Sequence, residues 1–487
     1  MTAAAPTLIQ PSPTAAAYLA SAPRPFIGGV FCAAKSDKTF EVENPSRQQT
    51  IATVQSAGPE DIALAVKSAR QAFETSWGKW SGTDRQKVLL RFADLVEANA
   101  GLIGEIESIE AGLPITLSKA TVGGFCVEFI RYYAGWATKI EGATIPASAN
   151  GREDQQLMVY TVREPVGVVA CIVPWNAPAS MVVLKIAPAL AAGCTVVLKT
   201  AEMAPLAAEF LAKLWSEAGG PPGSFNLIHG FGKDVGAALV TIPGVDKVSF
   251  TGSTAVGKEI VRAVSDDLRK ITLELGGKSP FVVFADAPME EAIPAAALAC
   301  FFLGGQNCMA GTRLFLHQSI RNEFMDGLAK FSDFLTVGDA LSPDTMIGPL
   351  ISGAHKAKVE GFVSKAMEEG GVVAYAGKIP EGLGHFVAPT IIDKVTPDMT
   401  LAREEVFGPV LGVQTFGDDE DALASAISQT TYGLSGSIWT QDLRRAHRFA
   451  RRIDSGQVGV NIHAAISPET PFGGNRQSGW GGRSATT

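Results

Sequence analysis

From about Pro165 onward the chain alternates short runs of branched apolar residues with longer stretches of helical periodicity, and this alternation restricts the fold more than any other feature. Strands written as continuous Val, Ile and Leu are buried on both faces, which calls for a parallel sheet wrapped by helices. The pattern predicts a strand at Val166–Val173, a helix at Met181–Ala192, a strand at Cys194–Lys199 and a helix at Pro205–Glu217. Strands follow at Phe225–His229 and Lys247–Thr251, the latter feeding a helix from Val256, and at Ile271–Leu275 and Phe281–Phe284 around the Gly276-Gly277 break. A second series starts at Ala287, with an Ala-rich helix to Leu303, a strand at Arg313–His317, a helix from Ile320 to Phe334 and further signals to Ile462. The expected fold class is α/β, with two doubly wound units joined near residue 276.

Upstream, Pro59–Trp77 and Gln86–Ser118 read as amphipathic helices that cover the first sheet. Residues 1–25 carry no charge before Arg24 and have five prolines, so a flexible tail is expected there. Pro165–Leu184 is uncharged over 20 residues, long enough to span a bilayer. Pro174, Asn176, Pro178 and Ser180 interrupt it, and it reads instead as strand, turn and helix. The formal net charge of −8 without a basic run excludes nucleic acid and acidic membrane as expected partners. Six cysteines spread without a CxxC pair imply reduced thiols, a cytoplasmic location and no metal site.

Five segments carry chemistry, each with a plainer alternative. Phe250-Thr-Gly-Ser-Thr-Ala-Val-Gly257 is a strand end, a small-residue turn and a helix start, suited to a pyrophosphate or simply to a tight turn. Lys199-Thr-Ala-Glu202 stands at the end of the strand Cys194–Lys199; either its carboxylate accepts from ribose hydroxyls, or the pair is a surface lysine and a helix-start glutamate. Glu274, between two leucines ahead of Gly276-Gly277, is either a partly desolvated general base or the solvent-facing residue of an alternating strand. Cys308 lies in a loop bracketed by Gly304, Gly305 and Gly311, where backbone amides can stabilise a thiolate; the plainer reading is an inert packed thiol. Asn176, after the strand that ends in Val173, offers either an amide donor to a developing oxyanion or a local turn bond.

Together, Trp175-Asn176, Lys199-x-x-Glu202, Gly252-Ser-Thr-x-Val-Gly257, Glu274-Leu-Gly-Gly-Lys278, Gly305-Gln-x-Cys308, Glu405-Val-Phe407-Gly-Pro409 and Pro471-Phe-Gly-Gly474 stand in one order. In that order and spacing the chain resembles the NAD(P)-dependent aldehyde dehydrogenase superfamily, of the non-acylating, hydrolytic type, from about Phe26 to Gly482. The resemblance implies two Rossmann-like domains and a small β-hairpin oligomerisation arm. It divides the chain into an NAD-binding domain (26–140 and 165–276), a catalytic domain (277–466) and the arm (141–164 and 467–487). Relatives usually continue past the point where this chain stops at Thr487, so the C-terminal part of the arm is expected to be short.

By the same resemblance Cys308 is the nucleophile, Glu274 the base that activates water, and Asn176 with the Cys308 main-chain N–H the oxyanion hole. Lys199 and Glu202 hold the adenosine ribose of NAD, Trp175 and Ser253 approach the phosphates, and Gly232 lies near the adenine. Glu405 and Phe407 orient the nicotinamide ribose, and Val173, Gly252 and Leu275 complete the cofactor-binding set. Glu202 favours NAD over NADP. The small-molecule substrate is an aldehyde. Leu303, Gly304 and Asn307 depart from the family and alter the pocket around Cys308, while Ala177 and Leu184 stand where many relatives carry bulky aromatics, which implies a roomier tunnel for a bulky or aromatic aldehyde. A homodimer or homotetramer is expected. The alternative activity is a cofactor-independent thiol esterase using Cys308 and Glu274, which leaves Lys199 and Glu202 without a role.

Overall fold

The computed structural model describes residues 9–21, 23–148 and 156–481. Its first sheet contains the antiparallel pair β1 (Phe26–Ile27) and β2 (Val30–Phe31) and five parallel strands. These are β3 (Val168–Ile172), β4 (Thr195–Lys199), β5 (Phe225–Ile228), β6 (Lys247–Thr251) and β7 (Lys270–Glu274). The parallel core runs β7–β6–β3–β4–β5, so strand order reverses between β3 and β6. In a doubly wound sheet, ligands bind outside the carboxyl ends of the strands at that reversal. β3, β4 and β5 are buried along their whole length, which explains their lack of alternation.

The chain crosses to the second sheet between Glu274 and Pro280. That sheet comprises β8 (Pro280–Val283), β9 (Arg313–His317), β10 (Val372–Ala376), β11 (Thr390–Asp393), β12 (Val410–Phe416), β13 (Ser435–Trp439) and β14 (Gln457–Val460). Its order is β10–β11–β12–β9–β8–β13–β14, and only β10 pairs antiparallel. The last described strand, β15 (Gly479–Trp480), returns to the first sheet and pairs antiparallel with β7. Leu275 N–H donates to Ser478 O at 2.8 Å and Ser478 Oγ to Gly276 O at 2.7 Å, so within the range 467–487 expected for the arm Ser478–Trp480 lie against the first sheet; residues 482–487 lie outside the described residues. A separate hairpin, Thr144–Ile145 with Val159–Tyr160, stands out with exposed Met158 and Tyr160.

The helices of the first half include α1 (Pro13–Leu19), α2 (Pro59–Thr75), α3 (Gly82–Ala98), α4 (Ala100–Ala111), α5 (Ile115–Thr121), α6 (Val127–Trp136), α7 (Pro178–Ala191) and α8 (Leu206–Glu217). α1 corrects the expected flexible tail over residues 9–21; residues 1–8 and 22 lie outside the described residues. Ser12 caps this helix and Pro13 occupies its first turn, so these residues start a helix instead of marking coil. Ala15 is fully buried and Tyr18 Oη donates to Leu206 O at 3.0 Å. The single helix expected at Gln86–Ser118 is three, α3 to α5. Asn99 leaves helical geometry, and Gly112 adopts a left-handed φ of 74° as the α4 cap ahead of Pro114. Pro165–Leu184 forms β3, a turn and the start of α7. Among the described residues no helix is long and apolar enough to cross a membrane.

Candidate active site

The carboxyl ends of the first sheet deliver one half of the site. β3 continues through Val173, whose N–H donates to Lys199 O at 3.2 Å, into the Pro174-Trp175-Asn176-Ala177 turn that opens α7. Asn176 is buried there, and its Nδ2 donates to the Gln306 carbonyl at 2.8 Å. Glu274 ends β7 only 4% exposed, and β15 pairs along the sheet edge beside it. The solvent-facing alternative for Glu274 therefore falls.

The loop before β9 delivers the other half. The helix Met289–Phe301 ends in Leu303, Gly304 and Gly305, all left-handed with φ of 56°, 64° and 71°. The glycines do not open this loop. They let other backbone close on it: a Cβ at Gly305 would fall 2.1 Å from Gly408 O, and one at Gly277 would fall 2.2 Å from Cys308 O. Gln306 fixes the turn further, donating from Nε2 to Leu303 O at 3.2 Å and accepting at Oε1 from Ile351 N–H at 2.9 Å. Cys308 is half-buried; its thiol donates to Asn307 Oδ1 at 3.9 Å, an oxygen that also accepts from Met309 N–H at 3.1 Å.

Asn176, Glu274 and Cys308, brought from three elements far apart in the chain, line one cavity of about 590 Å³, together with Leu275. Its walls include Phe125, Phe129, Tyr133, Phe302, Trp439 and Phe472, and Ala177, Leu184, Leu303 and Asn307 also face it. Of these six aromatic residues Phe472 belongs to the Pro471-Phe-Gly-Gly474 motif, and the sequence assigns no role to the other five. Phe125, Phe129 and Tyr133 do recur every fourth residue, the spacing of a helix face, but such a stripe reads equally as core. His463 also lines the cavity and was missed: its ring bonds Met309 O through Nε2 at 2.8 Å and Ser437 Oγ through Nδ1 at 2.9 Å. Burial holds it neutral by pushing its pKa down to about 4. A lone histidine in a loop carries no sequence signal for this.

The remaining expected residues gather in two places. Lys199, 3% exposed, ends β4 and pairs with the Glu202 carboxylate at 3.1 Å; burial lowers its pKa against the pull of that carboxylate. A surface lysine is thus excluded. Gly232 opens the turn after β5, whose Ile228 registers beside Lys199, and no side-chain bond joins the two. Trp175 packs edge-on against Phe407 with centroids 5.4 Å apart, and against His355 at 5.6 Å. Glu405 accepts at Oε1 from Gly277 N–H at 2.9 Å, and burial raises its pKa. At the reversal of strand order, Gly252 N–H donates to Glu274 O at 3.1 Å and Ser253 caps the helix Thr254–Ala263. Glycine is required at 252, because a Cβ would fall 2.4 Å from the Phe250 ring.

A sulfur, an amide donor and a carboxylate thus line one apolar cavity at the carboxyl edge of a doubly wound sheet. The profile of the Aldehyde dehydrogenase family matches residues 31–487. The chain is 42% identical over 458 residues to aldehyde dehydrogenase 1 of Tanacetum cinerariifolium, covering 94% of this chain and 90% of that one. It is 42% identical over 458 residues to the phenylacetaldehyde dehydrogenase of Pseudomonas fluorescens, covering 93% and 91%. The NAD+ complex structure of an aldehyde dehydrogenase from Bacillus cereus superposes with a TM-score of 0.94 at 40% identity, covering 99% and 96%. The chain belongs to the aldehyde dehydrogenase family.

Proposed function

We propose that this protein oxidises an aldehyde to its carboxylic acid with NAD, through a covalent intermediate on Cys308. The observation that carries the reading is the convergence of Cys308, Asn176 and Glu274 on one cavity. The Cys308 thiolate adds to the carbonyl carbon and the carbonyl oxygen takes the negative charge. The Asn176 amide and the Cys308 N–H donate to that oxygen; an oxyanion donor of this kind is typically worth about 3–4 kcal/mol. NAD, when bound, supplies the two-electron oxidant that accepts a hydride from the tetrahedral carbon. Glu274 then takes a proton from a water that attacks the Cys308 thioester; the C–S bond breaks, the thiolate is restored and the acid leaves.

The residues suit that cofactor. Glu202 offers acceptors to two ribose hydroxyls and repels a 2′-phosphate, which favours NAD over NADP, and buried Lys199 holds Glu202 in place. Trp175, Gly252 and Ser253 at the mouth of the helix Thr254–Ala263 line the expected path of the phosphates, with Val173 and Leu275 beneath and Gly232 toward the adenine. Glu405 and Phe407, braced by Gly277 and Trp175, would hold the nicotinamide ribose.

The aromatic walls and the small Ala177 favour a bulky or aromatic aldehyde, a preference in line with the relative that acts on phenylacetaldehyde. The exposed apolar hairpin around Tyr160 supports a homodimer or homotetramer, and six free cysteines support a cytoplasmic location. The test follows NADH absorbance with NAD and a panel of aldehydes, against Cys308→Ser. Signal lost in the variant and a kcat/KM higher for phenylacetaldehyde than for acetaldehyde are expected. Persistence of the signal in the variant removes Cys308 as nucleophile. Ester turnover that needs no NAD, with no NADH formed from any aldehyde, would favour the esterase reading.

A further inference from the structure

α4 is an apolar helix, Ala-Gly-Leu-Ile-Gly-Glu-Ile-Glu-Ser-Ile-Glu-Ala, that carries three buried acidic residues. A carboxylate in such surroundings is costly unless its oxygens are bonded, and each of these three bonds the start of a different helix. Glu105 accepts from the Ser12 N–H and Oγ, at 2.6 and 2.8 Å, at the cap of α1. Glu107 accepts from the Ala179 N–H, in the first turn of α7, at 2.7 Å, and from Ser118 Oγ. Glu110 accepts from the Leu206 and Ala207 N–H groups, the first two of α8, at 2.6 and 2.9 Å.

α7 and α8 lack caps of their own. The cap position of α7 is Ala177, followed by Pro178, and that of α8 is Pro205; neither provides a side-chain acceptor. The free N–H groups at a helix start must be satisfied from somewhere, and here they are satisfied from α4. The turn that ends at α7 carries Asn176, and the loop that ends at α8 carries Lys199 and Glu202.

We propose that Glu107 and Glu110 are positioning residues with separate duties: Glu107 sets Asn176 for the oxyanion, and Glu110 sets the Lys199–Glu202 loop for the adenosine end of the cofactor. This rests on the roles proposed above for Asn176 and Glu202. Burial pushes the two carboxyls up, Glu107 to about 7 and Glu110 to about 8. At 107 one of the two donors is a hydroxyl that can also accept, so a glutamine there accepts from Ala179 and donates to Ser118. At 110 both oxygens accept, and glutamine keeps only one acceptor.

The test is steady-state kinetics of the full-length enzyme, titrating NAD and aldehyde, for Glu107→Ala, Glu107→Gln, Glu110→Ala and Glu110→Gln, with Asn176→Ala and Glu202→Ala as controls. Small displacements of a catalytic group cost up to about 100-fold, so Glu107→Ala is expected to lose about ten-fold or more in kcat with the KM for NAD nearly unchanged. Glu110→Ala is expected to show the reverse, a KM for NAD raised about ten-fold with kcat nearly kept. Glu107→Gln should recover wild-type kcat, and Glu110→Gln should fall between wild type and Glu110→Ala. If the alanine variants fail to fold, Glu107→Asp and Glu110→Asp, which withdraw the acceptor by one methylene, should give the same split at smaller size. Equal losses in both parameters for both positions, or a Glu107→Gln as impaired as Glu107→Ala, would overturn the assignment. If Asn176→Ala keeps full kcat or Glu202→Ala keeps the wild-type KM for NAD, the roles of the site residues themselves fail instead.

Discussion

The side-chain amide of Asn176 reaches across the sheet boundary to the carbonyl of Gln306, 2.8 Å away and two residues ahead of Cys308. The turn after β3 of the first sheet and the loop before β9 of the second are thereby tied together beside Cys308. Asn176→Ala removes both this tie and the proposed oxyanion donor. A fall in kcat of about 100- to 1,000-fold is expected, with the KM for aldehyde little changed. Asn176→Asp should be no better, since a carboxylate repels the oxyanion. Steady-state kinetics check both.

Specificity for the dinucleotide should follow the Glu202 carboxylate, which Lys199 holds at 3.1 Å. Glu202→Ser removes the charge that a 2′-phosphate would meet. We expect the ratio of kcat/KM for NAD over NADP to fall by about ten-fold or more, since one charge–phosphate contact decides it. An unchanged ratio would show that the ribose is held elsewhere.

The Gly276-Gly277 pair makes a close fit between the two sheets. A Cβ at 276 would fall 2.3 Å from Glu405 Oε2, and one at 277 would fall 2.2 Å from Cys308 O. Gly277→Ala should therefore lower kcat by about ten-fold or more by displacing the nucleophile's own backbone. Gly276→Ala should raise the KM for NAD through Glu405. Kinetics and thermal melting of the two variants distinguish these effects.

Stability should respond to pH in opposite senses at two buried groups. His463 has a folded pKa of about 4, below the ordinary 6.5, so the unfolded chain takes up its proton first and stability falls as pH drops from about 6.5 to 4. Glu107 has a folded pKa of about 7, above 4.5, so stability falls as pH rises from about 4.5 to 7. Each effect is at most about 3 kcal/mol. In melting curves taken across pH, His463→Gln should flatten the acid limb and Glu107→Gln the neutral one. Curves parallel to wild type would contradict both.

Much of the site was legible because its residues sit in short motifs at strand ends. Glu274, Cys308, Asn176 and the Lys199–Glu202 pair each end or follow an apolar run, and the fold brings the first three to one cavity. What could not be read depends on partners distant in sequence. Phe125 and Phe129 face the cavity, yet their spacing is that of any packed helix. Glu107 and Glu110 look out of place in α4 until α7 and α8 arrive to use them. Ser12-Pro13 resembled coil because a seven-residue helix is unstable until Ala15 and Tyr18 dock. Gly479–Trp480 is too short to show as a strand without β7 beside it.

Covalent chemistry at Cys308 is tested most directly by rapid mixing of the Glu274→Gln variant with NAD and phenylacetaldehyde, followed by mass analysis of the quenched protein. The expected result is a burst of about one NADH per subunit, with the acyl group recovered on the peptide that contains Cys308, since Glu274 is needed only for hydrolysis. Turnover in that variant at the wild-type rate, or an NADH burst with Cys308 unmodified, would contradict it.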